Sequence, residues 1–87
     1  MTGMVIQYSS HFERKFKDLA LNLKKRVLRQ ISLLEKDIKS PSLKVHKLHG
    51  ELRNYWSFRV TDSIRIIFKF TEQGILLLDL GSHDIYK

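Results

Sequence analysis

The sequence predicts an α+β fold: an N-terminal strand, a two-helix hairpin, then a three-stranded antiparallel meander, with the helices packed on one face of a small sheet. Three observations predict it. Apolar residues recur at helical spacing between residues 10 and 40, they alternate at period two from Tyr55 onward, and serine, proline and glycine punctuate the chain where one regime yields to the next.

Met4-Val-Ile-Gln-Tyr8 is short, β-branched and aromatic and is followed at once by Ser9-Ser10, so it reads as a strand that feeds a helix cap. Ser10-x-x-Glu13 has capping-box spacing, in which hydroxyl and carboxylate each satisfy a free backbone N–H, and the first helix is expected to start there. Phe12, Phe16, Leu19 and Leu23 form one apolar stripe, with Asn22 expected to break the helix and cap a second. That second helix gathers Leu23, Val27, Ile31, Leu34 and Ile38 on one side and Lys25, Arg29 and Lys36 on the other. Ser40-Pro41 then ends it, because proline cannot continue the backbone hydrogen bonding.

In the second half Trp56, Phe58 and Val60 point one way while Tyr55, Ser57 and Arg59 point the other. Ile64, Ile66, Phe68 and Phe70 alternate similarly with Arg65, Ile67 and Lys69. Thr61-Asp-Ser63 and Thr71-Glu-Gln-Gly74 are turn-like, so a third strand is expected over Ile75–His83 with Leu76, Leu78 and Leu80 inside. The core is expected to join Phe12, Phe16, Val27 and Ile31 to Trp56, Phe58, Ile66 and Leu78.

At 87 residues the chain has interior for a single domain, residues 1–87. Residues 1–50 carry 11 Lys/Arg against 4 Asp/Glu, whereas residues 51–87 carry five of each, so the whole +7 charge lies in the N-terminal half. Such a balance suits a polyanion or an acidic partner. The absence of cysteine excludes a disulfide framework and thiolate chemistry and fits a reducing cytoplasm. No stretch approaches the ~20 apolar residues of a membrane span, and the first residues lack the basic start of a signal peptide, so no membrane association or targeting is expected.

Strand parity places Arg59, Arg65, Asp79 and His83 together on the sheet face opposite the helices. Two guanidinium groups and an imidazole are suited to holding and cleaving a phosphodiester, although a solvated sheet face also carries charge as a matter of course. A second cluster, Lys44-Val-His-Lys-Leu-His-Gly50, puts two histidines and two lysines into a loop expected to reach over the sheet. His46-x-x-His49 lacks companion ligands for a metal, and no glycine-rich phosphate loop is present, so neither metal nor nucleotide cofactor is expected. His11 reads as a solvated residue of the first helical turn. The basic side of the second helix suits either solvent or an acidic ligand.

Leu48-His-Gly50, Tyr55-Trp-Ser-Phe-Arg-Val60, Ile64-Arg-Ile-Ile-Phe68 and Leu80-Gly-Ser-His-Asp-Ile-Tyr86, in that order behind a helical hairpin, resemble the RelE/ParE superfamily of bacterial toxins. The likeness is to its YoeB-like and YafQ-like branch. It implies a RelE-like fold and the toxin of a type II toxin–antitoxin system, a ribosome-dependent mRNA endoribonuclease that needs no metal or cofactor and drives the substrate 2′-OH onto the adjacent phosphorus. By position it implies catalytic roles for His46, Arg65 and His83, a stacking role for Tyr86, and RNA or phosphate binding by Lys44, Lys47, His49 and Arg59. Which of His46 and His83 is base and which acid stays open, since both imidazoles have reference pKa values of ~6.5. The implied partners are an acidic cognate antitoxin, mRNA on the ribosome, and operator DNA through the antitoxin alone. A ParE-like gyrase inhibitor and an inactive RNA-binding homologue are the alternatives.

Overall fold

The computed structural model describes residues 4–82. Strand β1 (Val5–Tyr8) leads into helices α1 (Ser10–Lys17) and α2 (Leu21–Lys36), and strands β2 (His46–Lys47), β3 (Trp56–Arg59), β4 (Arg65–Phe70) and β5 (Gly74–Gly81) follow. The expected meander is present as β3, β4 and β5. It is flanked by two strands rather than standing alone, in the order β1-β5-β4-β3-β2, with β1 parallel to β5 and the other pairs antiparallel. The loop expected to reach over the sheet instead extends it, because His46 and Lys47 pair with Ser57 and Trp56.

Ser9, rather than Ser10, caps α1, and its hydroxyl does two things. It accepts the Phe12 amide at 3.0 Å and donates to the Leu78 carbonyl at 3.1 Å, so one side chain fixes the helix start to β5. Glu13 therefore closes no capping box; its amide bonds the Ser9 carbonyl as an ordinary helical turn. The second helix starts after Ala20, not at Asn22, and has no side-chain cap. It ends at Lys36, ahead of Pro41, which opens a short 3-10 turn over Pro41–Leu43.

Both helices cover one sheet face. Phe12, Val27, Ile31 and Leu34 meet Phe58, Ile66, Phe68, Ile75, Leu77 and Leu80 in a single buried cluster. Leu76 and Leu78 are not in it, contrary to the parity expectation. Opposite β4 the pairing jumps from Ile67–Asp79 to Phe68–Leu77, leaving Leu78 as the extra residue of a β-bulge. The bulge reverses the alternation, so Ile75 and Leu77 point inward on one side of it and Leu80 on the other.

Gly74 lets the parallel pair begin: a Cβ there would lie 2.2 Å from the Val5 carbonyl oxygen. Only a residue without a side chain lets β1 approach so closely.

Candidate active site

His46 stands on the edge strand, and two neighbours define its ring. Lys44 adopts a left-handed conformation (φ 48°, ψ 47°) as it closes the Pro41–Leu43 turn. Its carbonyl thereby comes 3.0 Å from Nδ1 of His46. A carbonyl carries no proton, so the proton on this bond belongs to Nδ1, and the neutral ring keeps its lone pair on Nε2. That nitrogen lies 3.4 Å from the hydroxyl of Ser57, its cross-strand partner, which is fully buried. A left-handed lysine costs roughly 1–2 kcal/mol, and here the conformation sets a histidine tautomer.

Two residues further along β3, on the same face as Ser57, Arg59 stands directly opposite Arg65. Side chains two residues apart along a strand are separated by roughly 7 Å. Like charges in directly opposed positions repel, and both guanidinium groups turn to oxygen. Arg59 pairs with Asp62, whose side chain is 94% exposed, and Arg65 donates to the carbonyls of Thr61 and Ile64. The connecting turn is itself tied, since the Thr61 hydroxyl accepts the amides of Ser63 and Ile64. From behind, Gln30 of α2 donates to the Arg59 carbonyl at 2.8 Å. Arg65 is thus the first residue of β4, beside a turn, rather than the centre of an apolar strand.

The structure brings His46, Arg59 and Arg65 to one face. Lys47 is opposite Trp56 and so belongs to the other side of the sheet, and Lys44 lines a separate cleft with Trp56 and Phe70. His49, exposed, precedes the 3-10 turn Gly50–Leu52. His83 and Tyr86 lie outside the described residues. Asp79 does not join the arginines: its carboxylate is bonded by Lys15 at 2.9 Å and His11 at 3.0 Å, both from α1. His11 is therefore an ion-pair and hydrogen-bond partner rather than merely solvated. Burial pushes the Asp79 carboxyl up, but the Lys15 and Leu80 hydrogen bonds and the nearby charges of Lys15 and His11 outweigh it and hold the group below its ordinary range.

Ser57, Asp62 and Gln30 are neighbours that sequence reading did not single out. Ser57 shares strand parity with Arg59, and Asp62 lies three residues beyond it, so both signals are local. Gln30 has no such signal, since its link to β3 spans 29 residues.

A family model described as the bacterial toxin of type II toxin–antitoxin system, YafQ, matches residues 4–86. The chain belongs to the YafQ family. It is thus a bacterial toxin of a type II toxin–antitoxin system, in accord with the YafQ-like resemblance of its motifs. No curated protein matches this YafQ-family toxin in sequence. Among solved structures it is similar to YafQ from E. coli strain BL21(DE3), with 21% identity, 95% of this chain and 97% of that one covered, and a TM-score of 0.78. The YoeB/ParE toxin from Agrobacterium tumefaciens gives 15% identity, 92% and 99% coverage, and a TM-score of 0.78. The E. coli DinJ-YafQ toxin-antitoxin complex gives 19%, 94% of both chains, and 0.69. At these identities the likeness speaks for a shared fold of two helices on a five-stranded mixed sheet.

Proposed function

We propose that this toxin is a ribosome-dependent mRNA endoribonuclease, and that His46 is its base. The observation that carries the reading is the Lys44–His46 bond, which leaves an imidazole lone pair on the sheet face that also holds two opposed guanidinium groups. His46 Nε2 takes the proton of a ribose 2′-OH. The freed oxygen bonds to the adjacent phosphorus, the bond from phosphorus to the 5′-oxygen breaks, and a 2′,3′-cyclic phosphate remains. Arg65 and Arg59 neutralise the charge that builds on the pentacovalent phosphate, Arg59 exchanging exposed Asp62 for the phosphate oxygens. The leaving 5′-oxygen takes a proton from an acid, the role assigned to His83, and a stacking role is assigned to Tyr86. Lys44, Lys47 and His49 supply further positive charge along the RNA.

The same reading gives the toxin a cognate antitoxin, as DinJ is to YafQ in the E. coli complex, with an acidic segment lying on the basic N-terminal half and operator DNA reached through the antitoxin alone. It places the protein in the cytoplasm, where ribosomes are; no helix among the described residues is long and apolar enough to cross a membrane.

The test is cleavage of ribosome-bound message by His46→Ala and Arg65→Ala. A positioned base is worth ~10²–10⁴ in rate and a donor aimed at transition-state charge ~10²–10³, so each variant should lose at least about a hundredfold. Wild-type rates in both would remove His46 and Arg65 from the chemistry, whereas growth arrest accompanied by inhibited gyrase supercoiling and intact message would move the protein to the gyrase-inhibitor class.

A further inference from the structure

The described surface carries a second cleft, at the end of the sheet away from the arginine pair. Ile38, Val45, Trp56 and Phe70 form its walls, Lys39 and Lys44 add positive charge, and it encloses about 460 Å³. Phe70 is 48% exposed, unusual for a phenylalanine on a sheet in a domain this small. Its orientation is nonetheless fixed, because its ring meets Trp56 edge-on at 5.4 Å and Phe68 edge-on at 5.5 Å. A rigid, half-open aromatic ring with lysines at its margin is the composition of a platform for unpaired nucleic acid, in which a base stacks and its phosphate meets a cation. Cross-strand register adds Lys47, the partner of Trp56.

The cleft also adjoins the candidate active site through one residue. Lys44 gives its carbonyl to His46 and also lines the cleft. An RNA strand that presents a ribose to His46 and continues around the two-residue edge strand passes Lys44 and reaches Phe70.

We propose that this cleft holds a nucleotide flanking the cleaved one, its base stacked on Phe70 and its phosphate met by Lys39 and Lys44. The inference rests on the nuclease reading above. Trp56 is the chain's only tryptophan, so intrinsic fluorescence reports on the cleft directly.

The experiment titrates the full chain with a short single-stranded RNA that is 2′-O-methylated throughout and therefore offers no nucleophile. The expected result is a saturable, salt-sensitive change in Trp56 emission. Its affinity should fall about tenfold in Phe70→Ser, which loses the base–aromatic stack, and about tenfold in Lys39→Glu, which reverses the charge meeting the phosphate. Lys39 is exposed, so its variant guards against misfolding of the aromatic one. On ribosome-bound message Phe70→Ser should raise KM and leave kcat near wild type. Unchanged emission overturns the inference, as does wild-type affinity in both variants, or an acidic peptide of matching charge that perturbs Trp56 as strongly as RNA does. If His46→Ala abolishes cleavage while Phe70→Ser alters neither binding nor KM, the nuclease reading stands and the cleft assignment falls. If the wild type cleaves nothing, the nuclease reading falls and takes the flanking-nucleotide role with it.

Discussion

Arg59 and Arg65 are direct cross-strand partners, and each guanidinium is turned onto an oxygen of the turn that joins their strands, Asp62 for one and the Thr61 carbonyl for the other. Two cations held this way form an anion site whose resting counter-charge comes from an exposed side chain. Inorganic phosphate or sulfate should therefore raise the thermal midpoint of the wild type at low ionic strength, where screening is weak. The gain should shrink in Arg65→Ala and persist in Lys25→Ala, on the far helix. Differential scanning calorimetry with and without phosphate checks this.

The Lys44–His46–Ser57 arrangement gives a second prediction. Ser57→Ala removes a hydroxyl from His46 Nε2 while leaving the Lys44 bond that holds the tautomer. Cleavage should persist at a reduced rate in Ser57→Ala and fall by at least about a hundredfold in His46→Gln. Single-turnover rates on ribosome-bound message compare the two, and losses of equal size would contradict the assignment of the base to His46 alone.

Asp79 links stability to pH. Its folded-state pKa lies below the ordinary 3.8, so its pairing with Lys15 and His11 stabilises the fold at pH values above 3.8 and is lost as pH falls through the folded pKa. Asp79→Asn should cost about 1–2 kcal/mol at neutral pH. Urea unfolding of both proteins at several pH values should show that gap closing as the solution is acidified below about pH 4.

Gly74→Ala should be damaging despite adding only a methyl group. The added methyl would meet the Val5 carbonyl oxygen, which is backbone and cannot step aside without breaking the β1–β5 pairing. A loss of about 2–4 kcal/mol, of the order of other strained or overpacked sites, is expected in chemical denaturation, with hydrogen exchange raised along Val5–Tyr8. Gly50→Ala, where φ is 68° and no atom lies within 4 Å of the added carbon, should cost only about 1 kcal/mol.

Much of this architecture was legible because it follows from periodicity. Phe12, the Val27-Ile31-Leu34 stripe, Phe58 and Val60 each follow from neighbours in sequence and are buried as expected, whereas Trp56 is half-buried and the outward-reading Ser57 is fully buried. The bulge at Leu78 was not legible, since all five residues from Ile75 to Asp79 but the last are apolar and any register would satisfy them. The β1–β5 pairing joins segments about 70 residues apart, which no local pattern encodes. Within the candidate site, parity brought Arg59 and Arg65 together and put Asp79 on their face of the sheet, but the Asp79 carboxylate bonds Lys15 and His11 of α1, about 65 residues away in sequence, which no local pattern encodes. The conformation of Lys44, which sets the His46 tautomer, has no signature in the residue type, because lysine rarely takes a left-handed backbone.

The central claim is that RNA is cut by its own 2′-oxygen with His46 taking the proton. The most direct measurement programs ribosomes with a message carrying a single 2′-deoxy nucleotide at a mapped cleavage position and analyses the ends left by the purified toxin. Cleavage at that position should vanish, while neighbouring unmodified sites are still cut and end in a 2′,3′-cyclic phosphate. Continued cutting at the 2′-deoxy position, or products ending in a 5′-phosphate, would contradict the account.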